Sequence, residues 1–303
     1  MCGLKSAGDS LRNHLADCMR NIGYLSCLSD PDLWFKEETR PSDGAKYYTY
    51  FLLYIDDCLV ILQASDTDLH ELDHFFKINS GSIGDPNMYL GARLRKVVLE
   101  NGVEAWATSA SKYVQEDVSN SEAYLHEHFG SQKFAKKVNN PFESEYAPLM
   151  GSSDELGPIL LNYYQTQIGE LIWMVELGRI DIIADVYMLA SKLALPWEGH
   201  LEAVFHIFGY LKGRHNAWMI FDPTYPTHDM SIFQEHDWCD FYGDMKEKIP
   251  TNAPEPRGEE VDLRIFVDSY HAGDKLTRRS RAGYIIFPNN APIAWLSKKQ
   301  ATI

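Results

Sequence analysis

Two adjacent carboxylates, Asp56 and Asp57, stand between apolar runs in the stretch Tyr54-Ile55-Asp56-Asp57, and acidic side chains in that setting can hold a divalent cation. The run before them, Tyr47 to Leu53, is aromatic and aliphatic; the run after them, Cys58-Leu59-Val60-Ile61-Leu62, is almost purely aliphatic. Both read as buried strands. So short a connection predicts a tight hairpin with both negative side chains at its tip. Neighbouring carboxylates repel unless something positive lies between them. Mg²⁺ suits that place, because it takes one or two carboxylates and fills its other octahedral positions with water and substrate phosphate oxygens. Two such ions can activate an attacking oxygen and stabilise a leaving one during in-line phosphoryl transfer. The same dipeptide is also good turn chemistry, since Asp tolerates left-handed backbone and bonds its own main chain. The pair alone leaves both readings open.

A chain of 303 residues with 45% hydrophobic content can bury a large core and is long enough for two or three compact units. No apolar run approaches the roughly 20 residues of a membrane span, and Met1-Cys2-Gly3-Leu4-Lys5 lacks the layout of a secretory signal. The expected location is intracellular, in the cytoplasm or a particle, and not secreted. The five cysteines are scattered and form no CxxC pair, which argues against a disulfide framework or a zinc site. Lys and Arg number 28 against 43 Asp and Glu, a net charge of −15. That balance argues against a protein whose whole surface grips phosphates, while leaving room for a local basic groove. Residues 229–261 hold a dense acidic run broken by Pro250, Pro254 and Pro256, a solvated linker by composition.

The elements that would position the acidic pair can be read along the chain. Leu11, Leu15, Cys18 and Met19 mark one face of a helix from Ser10 to about Asn21. Asp30-Pro31-Asp32 marks a turn before the strand Leu33 to Lys36. Helical spacing returns from Asp66 to Lys77. Asn101-Gly102, between the runs Tyr89 to Leu94 and Val103 to Thr108, predicts a second hairpin. Helices follow through Tyr113 and Val114, through Tyr163 to Glu176, and from His200 to Lys212; the stripe Leu201, Val204, Phe205, Phe208 and Leu211 on the last reads as core. Lys133, Lys136 and Lys137 form a weak basic patch. The strands Leu263 to Val267, Tyr284 to Phe287 and Ile293 to Leu296 predict an antiparallel meander, with Arg278, Arg279 and Arg281 in a loop within it.

In order along the chain, Gly3-Leu4-Lys5-Ser6-Ala7-Gly8, Asp30-Pro31, Tyr54-Ile55-Asp56-Asp57, Tyr89-Leu90-Gly91, Ile168 to Trp173, Leu177 to Ile182 and Tyr210-Leu211-Lys212 resemble the reverse transcriptase of copia-type retrotransposon polyproteins. Phe266-Val267-Asp268, Ser280 to Tyr284 and Trp295 to Gln300 are similar to the beginning of the family's ribonuclease H domain. The resemblance implies an α+β chain: a reverse-transcriptase palm sheet with packed helices, a helical connection and a partial RNase H-like antiparallel meander. The implied divisions are 1–110 for the partial palm with its primer-grip-like hairpin, 111–228 for the helical thumb and connection, 229–261 for the linker and 262–303 for the RNase H-like start.

By the same resemblance, Asp56 and Asp57 are catalytic and hold Mg²⁺, Gly3 and Lys5 line the nucleotide and template pocket, and Tyr89, Leu90 and Gly91 grip the primer. Asp268 corresponds to the first RNase H carboxylate. The implied partners are an RNA/DNA primer–template and deoxynucleoside triphosphates, together with the fingers and RNase H remainder of the parent polyprotein. The family's third palm carboxylate falls upstream of Gly3, and its later RNase H carboxylates fall beyond Ile303. The expectation is therefore a polymerase fragment inactive as it stands, with alternatives of a non-catalytic nucleic-acid-binding remnant or a gene-model fragment without an independent role. The three last strands, without the helix that covers them in the family, are expected to expose an apolar face and to lower solubility.

Overall fold

The structure is a computed structural model and describes residues 7–54, 57–61, 72–75, 84–130, 134, 138–142, 153–227, 237, 239–245, 248, 250–251, 253–274 and 277–301. The expected helix over Asp66 to Lys77 and the lysines 133, 136 and 137 fall largely or wholly outside these residues. The chain divides into two compact units, one of Met1–Pro86 with Thr227–Glu260 and the other of Asn87–Pro226 with Val261–Ile303.

In the first unit, helix α1 (Ala7–Asn21) precedes a four-stranded antiparallel sheet of β1 (Leu25–Ser26), β2 (Leu33–Thr39), β3 (Lys46–Tyr54) and β4 (Asp57–Ile61), ordered as in the sequence. The sheet forms because β3 alternates. Thr49, Phe51 and Leu53 are buried, and Phe51 and Leu53 join Met19, Tyr24, Trp34 and Leu72 in one core with Val60 packed against it. Tyr48, Tyr50, Leu52 and Tyr54 fall on the opposite face. Asp30 closes the turn into β2 by accepting from Asp32 N through its side chain at 3.1 Å and from Leu33 N through its carbonyl at 3.1 Å. Asp32 in turn pairs with Arg12 of α1 at 2.8 Å.

The described residues near the end of the acidic stretch are held to this unit by local contacts. Arg257 pairs with Glu37 of β2 at 2.6 Å, and Tyr48 of β3 donates to the Glu255 carbonyl at 2.9 Å. Hydrogen bonds from Lys46 and then Arg257 hold the Glu37 carboxyl below its ordinary value.

The second unit begins with β5 (Met88–Tyr89), β6 (Ala92–Val98) and β7 (Glu104–Ser109), joined later by β8 (Met219–Phe221) in the order β5-β6-β7-β8. Between them run α2 (Ser111–Phe129), α3 (Pro158–Glu176), a 3-10 turn (Ile180–Ile182), α4 (Ile183–Ala190) and α5 (Glu198–Gly213). The hairpin β6–β7 thus falls in the same compact unit as the helices, and the two units part at residue 86. β7 runs almost directly into α2 and pairs on its other side with the strand that follows α5, through Trp106↔Phe221 and Thr108↔Met219. The core is helical: Val114, Tyr164, Ile168, Leu171, Met174, Val186, Leu189, Val204, Ile207, Phe208 and Leu211 are all buried in one cluster. Burying one such side chain contributes about 1.5–3 kcal/mol.

The last strands, β9 (Leu263–Tyr270), β10 (Arg281–Pro288) and β11 (Ala294–Lys299), form an antiparallel sheet in the order β11-β10-β9. β11 packs on α4, and Trp295 reaches the helical core. β9 lies at the other edge, where Leu263, Ile265, Phe266 and Val267 are 55–72% exposed. Among the described residues, no helix is long and apolar enough to cross a membrane.

Two acids face each other between α2 and α3. Asp117 is buried, its Oδ2 has no hydrogen-bond partner, and its carboxyl shares a hydrogen bond with Glu170. Glu170 also accepts from Gln167 at 2.5 Å, whose amide oxygen accepts from Ser121 at 2.6 Å. Burial, and then the charge of Glu170, pushes Asp117 up to about 7. A carboxyl raised in the folded state binds a proton that the unfolded chain releases, so stability falls as pH climbs from about 4 to about 7. Asp117→Asn is therefore expected to stabilise the protein by roughly 1–3 kcal/mol at pH 8 and by little near pH 4. Denaturant unfolding at both pH values checks this, and an equal effect at the two would refute it.

Candidate metal and nucleic-acid site

The hairpin β3–β4 is closed by register. Leu52↔Leu59, Leu53↔Cys58 and Tyr54↔Asp57 are partners, which leaves only Ile55 and Asp56 between the strands. Because Asp57 pairs with Tyr54, it lies on the face of Tyr48, Tyr50 and Tyr54, opposite the face that Phe51 and Leu53 bury. Both Tyr54 and Asp57 are exposed at the tip. Asp57 thus offers a hard, hydrated carboxylate of the kind a magnesium ion takes. Asp56, Gly3 and Lys5 lie outside the described residues. Among the described residues, no group of three or more His, Cys, Asp or Glu side chains is arranged to hold a metal.

Tyr89, Leu90 and Gly91 form a turn, not a continuous strand. Tyr89 pairs with Ala92, and the two residues between them have positive φ, 50° at Leu90 and 85° at Gly91. That combination matches the tight turn whose twist suits a hairpin. Leu90 tolerates it because its side chain packs against the helical core.

Beyond this turn β6 carries Arg93, Arg95 and Lys96. Arg95 lies with its guanidinium 3.8 Å from the centre of the Trp218 ring, and Lys96 sits 5.3 Å from the Trp106 ring on the other face. In the ladder Arg95 stands opposite Ala107, and Ala107 opposite Ile220 of β8. The small alanine between them leaves room for the arginine to cross toward Trp218. Such a stack, with Arg95 exposed and Trp218 half-buried, can meet both a phosphate and a base. Sequence reading missed it, since Arg95 and Trp218 are distant in the chain and only the β7–β8 pairing brings them together.

The motif Leu177 to Ile182 resolves into an ion pair. Arg179, 2% exposed, donates to both oxygens of Asp181 at 2.9 and 2.7 Å, and Tyr210 of α5 donates to Asp181 at 2.9 Å. Burial alone would raise the Asp181 carboxyl, but Arg179 and Tyr210 outweigh it and hold the group below its ordinary value. This motif ties the corner after α3 to α5.

Asp268 is exposed on β9, opposite Gly283 of β10. It belongs to the second unit with Tyr89, Leu90 and Gly91, and to a different sheet from theirs; Asp57 belongs to the first unit.

Comparison with known proteins finds relatives that are Ty/copia-type retrotransposon proteins, matched along essentially the whole chain at about 25% identity. The chain is 24% identical over 307 residues to a transposon Ty5-1 protein of Saccharomyces cerevisiae, covering 99% of this chain and 80% of the yeast protein. It is 25% identical over 312 residues to the retrovirus-related Pol polyprotein from transposon TNT 1-94 of Nicotiana tabacum, covering 99% of this chain. It is 25% identical over 304 residues to the corresponding polyprotein from transposon RE1 of Arabidopsis thaliana, covering 98%. The chain spans only 19% and 16% of the length of those two plant polyproteins. No family model matches it, and no solved structure matches it.

Gly91→Ala tests the turn. With nothing within 4 Å of the place an added methyl group would take, no collision arises, and the cost is the left-handed backbone alone, about 1–2 kcal/mol. The expected loss appears as a lower denaturant midpoint with an unchanged slope; an unaltered midpoint would show that the turn is not held in this form.

Proposed function

We propose that this chain is the reverse-transcriptase region of a Ty/copia-type retrotransposon Pol polyprotein, joining part of a polymerase palm to a helical connection and the opening strands of an RNase H fold. The single observation that carries the reading is the register of β3–β4, which leaves a two-residue connection and sets Asp57 exposed at the end of a ladder. Support also comes from the whole-length similarity to retrotransposon Pol polyproteins.

In this proposal Asp56 and Asp57 hold Mg²⁺, which when bound neutralises phosphate charge and activates the primer 3′-hydroxyl. Tyr54 flanks the pair. The turn Tyr89-Leu90-Gly91 supports the primer end, and Gly3 and Lys5 face the nucleotide and template. Arg93 and Arg95, with Trp218, hold the backbone of the duplex. These local cations offset the overall −15 charge, which would otherwise repel nucleic acid. Asp268 takes the place of the first RNase H carboxylate. The proposed location is intracellular.

Holding primer–template without chemistry is the second reading, and the Arg95–Trp218 stack is the observation that favours it. Fluorescence anisotropy with an RNA–DNA duplex should show affinity that falls as salt rises. Arg95→Ala should weaken it several-fold. In primer extension on an RNA template with Mg²⁺ or Mn²⁺, the chain should stay near the level of Asp57→Ala. Absence of salt-dependent duplex binding would refute the nucleic-acid reading, while robust synthesis abolished by Asp56→Ala would refute only the lack of chemistry.

A further inference from the structure

The β10–β11 end of the second unit gathers more positive charge than it neutralises. Arg281 and Lys299 are direct cross-strand partners, so their side chains leave the same face of the sheet, an arrangement that costs stability for like charges. Lys192 joins them from the turn after α4, the helix on which β11 packs. Among the described residues, one carboxylate sits among the three cations. Asp274, in the β9–β10 loop, binds Lys299 through Oδ2 at 3.1 Å and accepts from Thr277 N through Oδ1 at 3.0 Å. Both of its oxygens are therefore engaged.

The remaining cations lack that compensation. Arg281 has a buried Nη1 with no hydrogen-bond acceptor, a costly way to keep a guanidinium unless something fills the gap. Burial, and not any neighbouring cation, is the main cause that lowers both Arg281 and Lys192 from their ordinary values, while Asp274 acts on each in the opposite sense. His200 adds no charge. It is buried, accepts from Trp197 N at 2.9 Å, and is pushed down to about 4 by burial and then by Lys192.

We propose that Lys192, Arg281 and Lys299 form a binding site for a phosphate group, with Asp274 holding the Lys299 ammonium in place. Three cations against one carboxylate leave two positive charges, which a phosphate dianion or two phosphodiesters would balance. Arginine supplies planar, directed donors and lysine compact charge, the pairing suited to a tetrahedral oxyanion. Chemistry of this kind could serve a nucleic-acid backbone or a free phosphate. The site itself does not depend on the polymerase reading.

Thermal unfolding of the whole chain in inorganic phosphate, against sodium chloride at matched ionic strength, tests it. Phosphate should raise Tm by several degrees in the wild type, and the shift should vanish in Lys192→Gln and in Arg281→Gln. Should Arg281→Gln alter folding, Lys192→Gln, at a partly exposed turn, gives an independent readout, and Arg281→Lys should restore part of the effect. No phosphate-specific shift, or the same shift in both Gln variants, would overturn the proposal. With the shift established, an RNA–DNA duplex that removes the further gain from phosphate assigns the site to a nucleic-acid backbone. A duplex without that effect assigns it to free phosphate, whatever duplex binding occurs elsewhere.

Discussion

A guanidinium sealed from water organises the second unit. Arg179 stands where α3 ends and the 3-10 turn begins, and its bidentate grip on Asp181, completed by the Tyr210 hydroxyl, ties that corner to α5. A buried charge that lost this partner would destabilise by about 3–5 kcal/mol. Gly178, at φ 102°, lets the chain turn sharply just before it. Once the corner is fixed, α4 and α5 have defined directions. Both the basic ladder of β6–β8 and the phosphate-type cluster beside β11 rest on that helical framework.

The first unit works by a different constraint. Its hairpin tip is defined by pairing, since a ladder that reaches Tyr54↔Asp57 has nowhere to put additional chain. Alternation then decides orientation: with Phe51 and Leu53 turned to the core, Asp57 must share the outer face with the tyrosines. Slipping β4 by one residue against β3 would turn that carboxylate toward the core and Val60 away from it. Hydrophobic packing well away from the tip thus keeps the acid in water.

How much of this could be read from the amino acids follows the distance between partners. Runs with their own period were legible: the β3 and β4 strands, the Asn101-Gly102 turn with Gly102 at φ 83°, and the α5 stripe. The turn at Leu90 was not, because leucine seldom takes positive φ and only its packing makes the conformation tolerable. Arg95 with Trp218, Asp117 with Glu170, and Lys192 with Asp274 are brought together by tertiary structure that leaves no local pattern. The same limit explains the unit boundary: β8 follows α5 in the chain, yet completes a sheet begun before α2.

β9 closes its sheet on the outer side, with one row of backbone amides and carbonyls unmatched within that sheet and bulky aliphatic side chains in water. An open strand of this composition is a template onto which the backbone of a neighbouring molecule can zip. Crowded copies, or chains still emerging from the ribosome, would find the same edge waiting. Among the described residues, this eight-residue strand is therefore a place where such pairing between copies can begin.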